Sequence, residues 1–297
     1  YCGDILVSDL PWPPEVQDCG PGDSQRYPPL EPGARKGDRG RLLVIGGGPY
    51  HGAPILSGMA AARSGCDLVH VAMPSRAARR CEWPTSIIPE ELPEEDLLTM
   101  SSMPSIEGII QSGRRPDSIV IGPGLGRDER TTEAVRAILE MTTEGGIQVV
   151  VDADAIGALP QGEWPKGMTG VATPHDSEAS RWLGEAEPHQ ALSGITGEDS
   201  TIVITGSEDR LTGPGGRQAS ARGGHPRMAV GGTGDLLAGA IGGLMAQGMS
   251  PWPAARLGCA LLREAGERAA GEKGSGLLAE DVPVHIANTL SDWTGPA

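Results

Sequence analysis

From Arg41 onward, short apolar runs alternate with longer alanine-rich segments, and this alternation restricts the fold more than any other feature of the sequence. Six runs carry the pattern, at residues 42–45, 68–73, 118–121, 148–151, 170–173 and 201–205. Strands that are apolar on both faces and alternate with helices are typical of a parallel sheet covered on both sides. The sequence therefore predicts an α/β fold with a central, mostly parallel sheet.

The composition restricts the possible partners. The 39 acidic residues outnumber the 24 basic ones, which gives a net charge of -15. Such a charge opposes binding to nucleic acids and to anionic membrane surfaces, and no basic patch interrupts it. We therefore expect neither a nucleic-acid partner nor a membrane partner.

The cysteines predict a reducing compartment. They form no CxxC pair and no Cys/His cluster at the spacing of metal ligands. The five are Cys2, Cys19, Cys66, Cys81 and Cys259. The most apolar window, residues 228–249, contains Asp235 and many glycines, and no basic-then-apolar leader opens the chain. Together these features predict a cytoplasmic protein.

The proline content changes near residue 36. Residues 1–35 are proline-rich and have no sustained periodicity, which is typical of an arm or a linker. We expect residues 36–297 to form the folded domain.

The strongest local signal is the stretch GGTGDLLAG at residues 231–239, where a glycine turn leads into a helix. Free backbone N–H groups and the helix dipole at such a start favour a phosphate or a developing oxyanion. Asp235 is suited to act as a general base on a hydroxyl group held there. The alternative interpretation is a capping aspartate after a flexible loop.

Three more turns follow predicted strands, at residues 122–126, 152–154 and 173–175. Ligands bind at the carboxyl ends of strands in open α/β sheets, although each turn taken alone also fits helix capping or turn chemistry. The run GGGPYHGAP at 46–54 does not satisfy G-x-G-x-x-G, and the chain contains no G-x-x-x-x-G-K-[ST] loop. Both absences argue against a Rossmann dehydrogenase and a P-loop NTPase.

These motifs, taken in order, resemble the NAD(P)H-hydrate dehydratase family. The resemblance covers about residues 36–290 and includes KGDRG at 36–40, DADA at 152–155 and GSGLLAED at 274–281. Residues 18–23 are similar to the junction that joins this domain to an epimerase domain in two-domain relatives. Residues 1–35 are then an arm or the remnant of a linker from such a domain.

The resemblance implies a ribokinase-like fold and dehydration of the 6S hydrate of NADH or NADPH (NADHX or NADPHX). The co-substrate is ADP in prokaryotic members and ATP in eukaryotic ones, with Mg²⁺ bridging the phosphates. A homo-oligomer and functional coupling to an NAD(P)HX epimerase are also implied.

The resemblance also assigns site residues, with Asp235 as the catalytic base and no metal ligand specified. The residues implied for the hydrate are Ala53, Gly124, Gly126, His175 and Asp235. Those implied for the nucleotide are Thr205, Gly206, Ser207, Glu208, Asp209, Gly232, Thr233 and Gly234.

This chain departs from the family pattern in the nucleotide half. Thr205-Gly206 replaces the usual Lys-Gly, so a positive charge near the phosphates is missing, unless Arg210 or Arg217 supplies it. Two alternatives stay open. One is a ribokinase-like kinase acting on a vitamin-precursor alcohol, which the motifs at 46–54 and 173–175 disfavour. The other is a catalytically weak nucleotide-binding protein.

Overall fold

Nine strands form one sheet in the computed structural model, which describes residues 17–111 and 115–295. In chain order they are β1 (Arg41–Ile45), β2 (Leu68–Pro74), β3 (Ile87–Leu92), β4 (Ser118–Ile121), β5 (Gln148–Val151), β6 (Gly170–Ala172), β7 (Ser200–Ile204), β8 (Asp209–Thr212) and β9 (Gln218–Ala221). Across the sheet the order is β3-β2-β1-β4-β5-β6-β7-β8-β9. The first seven strands are parallel, and β8 runs antiparallel to both of its neighbours, β7 and β9, which confirms the predicted α/β class.

All six predicted strands are present. The bounds of β4 and β5 agree with the prediction, and the other four differ by one residue at one or both ends. The sequence did not single out β3, β8 or β9. These strands lie toward the two edges of the sheet and leave some of their side chains exposed, as Glu91 of β3 and Arg210 of β8 do. Polar residues in such strands hide the continuous apolar run that marks a buried parallel strand.

Helices cover both faces of the sheet. They are α1 (Gly52–Arg63), α2 (Ser75–Arg80), α3 (Met103–Gln111), α4 (Glu129–Gly145), α5 (Asp176–Leu183), α6 (Pro188–Ala191), α7 (Thr233–Ala246), α8 (Pro251–Lys273) and α9 (Pro283–Thr294). Short 3-10 helices span Pro21–Arg26, Met100–Ser102, Ala153–Ala158, Pro214–Gly216, Pro226–Met228, Gly274–Gly276 and Ala279–Asp281.

Successive side chains of each strand point into two separate cores, because side chains alternate along a strand. In β1, Leu42 and Val44 belong to the core that also contains residues of α1, α7, α8 and α9, whereas Leu43 and Ile45 belong to the core that contains residues of α3, α4 and α5. Both cores are built largely from Ala, Leu, Ile and Val, in keeping with a chain that has no Phe.

The apolar window at 228–249 becomes α7, which lies buried against the sheet, and α8 follows it from Pro251. Across the described ranges, 17–111 and 115–295, no helix combines the length and the apolar character needed to cross a membrane.

The first described residues are attached to the domain. The Cys19 N–H donates to the Ser220 carbonyl at 2.7 Å, on edge strand β9. Asp23 forms a largely buried ion pair with Arg256 of α8 at 2.6 Å. This part of the predicted arm is thus packed on the domain, whereas residues 1–16 lie outside the described residues. The assignment of 1–35 to an arm or linker remnant stays a prediction.

Helices α1 and α7 approach each other through glycines. A β-carbon on Gly239 would lie 2.0 Å from the carbonyl oxygen of Ser57, far inside any allowed contact. One turn earlier on α7, the Asp235 carbonyl accepts a hydrogen bond from the Ser57 hydroxyl at 2.9 Å. This close contact fixes the start of α7 relative to α1.

We expect Gly239→Ala to lower the free energy of unfolding by about 3 kcal/mol, because the added methyl group forces the two helices apart. The matched control is Gly271→Ala on α8, where a β-carbon meets no atom within 4 Å. That change should stabilise the protein by roughly 0.5–1 kcal/mol through helix propensity. Urea denaturation measures both, and equal effects from the two variants would contradict this account of the helix contact.

Candidate active site

Turns that follow the parallel strands come together at the carboxyl ends of these strands, which we call the sheet edge of the site. A cavity of about 550 Å³ opens there. It is lined by Pro49, Tyr50, His51, Gly52, Ala53, Leu56, Gly124, Ala153, Asp154, Gly231, Gly232 and Asp235. This is the edge at which ligands bind in open α/β sheets. We call it the active-site cavity.

The cavity gathers part of the predicted set. Ala53, Gly124 and Asp235 of the hydrate residues line it, as does Gly232 of the nucleotide residues. The remaining predicted residues contribute no wall to it.

Asp235 lies in the first turn of α7 and has an unengaged carboxyl group. Across the described residues, this carboxyl forms no hydrogen bond and no ion pair. Burial, with a smaller effect from the negative charge of Asp154, raises its pKa to about 6. A carboxyl group with such a pKa gives up its proton near neutral pH and can take one from a bound hydroxyl group.

The N–H groups at the start of α7 are also available. Gly232, with φ of 101°, turns the chain into the helix, and the Thr233 hydroxyl donates to the Met228 carbonyl at 2.8 Å. Within the described part of the chain, the N–H groups of Gly234 and Asp235 have no backbone or side-chain acceptor. Two unpaired donors at a helix N-terminus form a site for phosphate oxygens.

Asp152 is a second carboxyl group, buried below the cavity. Only 5% of the residue is exposed, and its Oδ1 accepts a hydrogen bond from the Thr173 hydroxyl at 2.7 Å. Burial raises the pKa of this carboxyl well above its usual range, and the charge of Asp235 adds to the effect, while the hydrogen bond from Thr173 opposes it. The sequence placed Asp152 in a strand-end turn, but gave no sign of this contact with Thr173.

Ala153 lies between Asp152 and Asp154 in the chain and has a strained backbone conformation. Its φ of 48° is the one positive φ among the described non-glycine residues. Left-handed backbone costs an alanine about 1 kcal/mol, and such strain is concentrated at functional sites. With this backbone turn, the Asp152 side chain is buried, whereas the Asp154 side chain reaches the loop after β4. There its Oδ2 accepts a hydrogen bond from the Gly126 N–H at 2.8 Å.

His175 follows β6 and caps α5. Its Nδ1 accepts from the backbone N–H groups of Ser177 at 3.2 Å and Glu178 at 3.4 Å, and about half of its side chain is exposed. The Glu178 carboxylate in turn accepts from the His175 N–H at 3.1 Å. The other ring nitrogen, Nε2, lies 3.3 Å from the Glu178 carboxylate, so both ring nitrogens of His175 have partners at the start of α5.

The loop after β7 is held from behind by Arg263 of α8. This guanidinium pairs with the buried Asp209 at 2.8 Å, and donates to the carbonyls of Ser207 at 2.8 Å and Gly206 at 3.0 Å. The Thr205 N–H donates to the Pro174 carbonyl at 2.9 Å, which places the loop beside His175. The Asp209 carboxylate thus shapes the loop, while Gly206 and Ser207 are exposed.

A model of the NAD(P)H-hydrate dehydratase family matches residues 42–288. The bifunctional NAD(P)H-hydrate repair enzyme of Methanothermobacter thermautotrophicus is 34% identical over 299 residues, which cover 97% of this chain and 57% of that protein. The ADP-dependent (S)-NAD(P)H-hydrate dehydratase of Cenarchaeum symbiosum is 34% identical over 264 residues, covering 84% and 88%. This chain belongs to the NAD(P)H-hydrate dehydratase family. It spans little more than half the length of the bifunctional relatives it matches.

Solved structures show the ribokinase-like fold of this dehydratase-family chain. The ADP/ATP-dependent NAD(P)H-hydrate dehydratase from Bacillus subtilis, co-crystallised with ATP and Mg²⁺, has a TM-score of 0.74 and 22% identity, and covers 93% of this chain and 98% of that one. A ribokinase-like superfamily protein of Enterococcus faecalis has a TM-score of 0.76 and 23% identity, and covers 93% and 96%.

The two arginines considered as substitutes for the missing lysine of the dehydratase family lie at opposite ends of β7. Arg210 pairs across the sheet with Ile204, next to Thr205, and its side chain bonds to Asp176. Arg217 contacts Glu198, just before β7 begins. Only Arg210 therefore lies near the expected phosphate position.

The described residues of this dehydratase-family chain hold no group of three or more His, Cys, Asp or Glu placed to bind a metal ion. Mg²⁺ commonly takes one or two carboxylates and completes its shell with substrate phosphates and water. A nucleotide held at the free N–H groups of α7 would bring such phosphates to the cavity, so Mg²⁺ binding there does not need a cluster of protein carboxylates.

We expect Asp235→Asn to stabilise the protein at pH 8 by about 2 kcal/mol and to have little effect at pH 4. The folded carboxyl, with a pKa of about 6, keeps a proton that the unfolded chain releases near pH 4. Its contribution to stability is therefore complete below about pH 4 and is lost as the pH rises through about 6. Urea denaturation at both pH values measures this, with the exposed Asp292→Asn as the control. An effect of equal size at both pH values would show that the pKa is not raised.

Proposed function

We propose that this chain dehydrates the 6S hydrate of NADH or NADPH and consumes ADP in doing so. The observation that carries the proposal is the open carboxyl of Asp235 beside the two unpaired N–H groups of α7, at one cavity. The dehydratase names of the relatives support the same reaction. ADP is favoured over ATP because the Cenarchaeum symbiosum relative is named as ADP-dependent.

The chemistry needs a better leaving group than hydroxide. In the proposed reaction, Asp235 accepts the proton of the C6 hydroxyl group, and that oxygen attacks the terminal phosphorus of the nucleotide. The bond to the nucleotide's leaving oxygen breaks, which leaves a phosphate ester at C6. The electron pair of the ring nitrogen then expels this phosphate as the C6–O bond breaks, and loss of a proton from C5 to water forms the C5=C6 double bond of NADH or NADPH. The pKa of about 6 leaves Asp235 ionised at neutral pH and ready to accept the proton.

The N–H groups of Gly234 and Asp235 stabilise the transferring phosphoryl group, because they have no acceptor among the described residues. When bound, Mg²⁺ neutralises charge on the nucleotide phosphates. Phosphate oxygens and water would supply most of its ligands, which would leave the Asp235 carboxylate free to accept the proton.

In this proposal, the hydrate ring lies against Ala53 and Gly124. The methyl side chain of Ala53 and the lack of a side chain at Gly124 leave room for the ring. Gly126 and His175 contact the hydrate farther along the sheet edge. On the nucleotide side, the exposed Gly206, Ser207 and the half-buried Glu208 follow Thr205. Gly232, Thr233 and Gly234 complete that side at the start of α7, and Asp209 acts through the loop shape.

Three further proposals concern the protein's setting. A cytoplasmic location is supported by the four described cysteines, all of which are free and two of which are buried. Coupling to an NAD(P)HX epimerase is supported by the bifunctional relatives. A homo-oligomer remains an expectation from the family resemblance.

We expect purified protein to regenerate reduced nicotinamide absorbance from NADHX or NADPHX when Mg²⁺ and ADP are present. The rate should rise with pH through about 6, as Asp235 ionises. Asp235→Asn should lower turnover by roughly 10²- to 10⁴-fold, the usual contribution of a general base.

The control variant is Asp292→Asn, an exposed aspartate of α9 that pairs with Arg268. Near-normal turnover in Asp235→Asn would remove the proposed base. Accumulation of a phosphorylated hydrate, without return of absorbance, would instead indicate a kinase of the same fold.

A separate prediction concerns Thr205. If the phosphates lack the usual lysine, Thr205→Lys should tighten ADP binding by about 1 kcal/mol, the scale of a charge-assisted hydrogen bond. Calorimetric titration at low and high salt measures it, because an exposed charge pair weakens in salt. If Arg210 already fills the role, Thr205→Lys should leave the affinity unchanged and Arg210→Ala should lower it.

A further inference from the structure

A second cavity, of about 280 Å³, adjoins the active-site cavity. Ala153 and Asp154 line both, so the two cavities meet at the strained turn after β5. Small-molecule sites span roughly 300–1,000 Å³, so the second cavity fits one part of a ligand and not a whole dinucleotide. A dinucleotide has two nucleotide halves, and two adjoining cavities match that division.

The floor of the second cavity is apolar. Ile156, Leu159 and Trp182 line it and are almost fully buried. The indole N–H of Trp182 donates to the Pro160 carbonyl at 2.8 Å, which fixes the ring in place. A flat, fixed aromatic ring and aliphatic neighbours suit a planar base.

Two arginines lie in the wall of this cavity. Arg127, just after the Gly122–Gly126 turn, uses Nε for Asp154 at 3.3 Å. Arg181 of α5 uses Nε for the Ser177 carbonyl at 3.1 Å. In the described parts of the chain, the terminal nitrogens of both guanidinium groups have no partner. The free end of a guanidinium group is suited to bind a phosphate in a bidentate way, and the two groups line one cavity.

Two carboxylates also line the cavity, but both are engaged. Asp154 accepts from the Gly126 N–H at 2.8 Å, and Glu178 accepts from the His175 N–H at 3.1 Å. The unused hydrogen-bonding capacity of the charged groups is therefore mainly that of the two cations. Nearby Arg130 differs, because both its Nε and its Nη2 bond to Asp128.

We propose that the second cavity binds the adenosine half of the dinucleotide, and that Arg127 and Arg181 hold its 2′-phosphate. This inference rests on the proposed function for the identity of the substrate. It makes the hydrate of NADPH the preferred substrate over that of NADH, because only the former carries the 2′-phosphate.

The test is a calorimetric titration with the stable products NADPH and NADH, with ADP and Mg²⁺ present to fill the nucleotide site. We expect NADPH to bind on the order of tenfold more tightly than NADH, the effect of one charge-assisted contact. Arg127→Ala and Arg181→Ala should each reduce this ratio, and the double variant should bring it near one without weakening NADH. Arg130→Ala, equally exposed, should leave the ratio unchanged.

A ratio near one in the wild-type protein, absence of binding by both dinucleotides, or an unchanged ratio in the double variant would overturn the inference. Turnover of both hydrates is measured alongside. If the hydrates are dehydrated and the ratio of NADPH to NADH affinity does not change in the Arg127 and Arg181 variants, only the inference fails. If the ratio follows the arginines and neither hydrate is dehydrated, only the proposed function fails.

Discussion

The contact between α1 and α7 positions the chemistry of this protein. Gly239 has no side chain, so the backbone of α7 packs directly against the backbone of α1. The Ser57 hydroxyl donates a hydrogen bond to the Asp235 carbonyl. The first turn of α7 is thereby fixed over the carboxyl ends of the central strands. A carboxylate and two free N–H groups then lie in one place without support from a flexible loop. Close helix packing in one core thus sets the geometry of the candidate active site.

The site keeps carboxyl groups where burial disfavours their charged form. Asp152 is buried and accepts a hydrogen bond from Thr173, and Asp235 is partly buried. Burial raises the pKa of both carboxyl groups. Asp154 differs, because the Gly126 N–H and Arg127 engage its charge. Buried charge lowers stability at neutral pH, and perturbed carboxyl groups of this kind are concentrated at functional sites. The backbone strain at Ala153 also lowers stability, and it directs the side chains of Asp152 and Asp154 to different surroundings.

The sequence predicted the central strands well, because their apolar runs are continuous and are buried on both faces. It did not predict β3, β8 and β9, whose exposed side chains interrupt the pattern. Among site residues, Asp235 follows from a local motif, because the glycine turn and the helix start are adjacent in sequence. The contact of Asp152 with Thr173 joins two strands, and Arg263 reaches the loop after β7 from another helix. Contacts of that kind depend on the tertiary fold and leave no local spacing to detect.

The nucleotide half shows how a loop can keep its shape without the usual lysine. Arg263 draws Asp209 and two loop carbonyls toward α8, so the backbone of residues 206–209 is held from its inner side. Loop conformation therefore does not depend on the side chain at Thr205. What the substitution removes is a charge and not a structural support. In the proposed function, phosphate binding then depends more on the N–H groups of α7, whose attraction acts over one helical turn and requires the phosphates to be correctly placed.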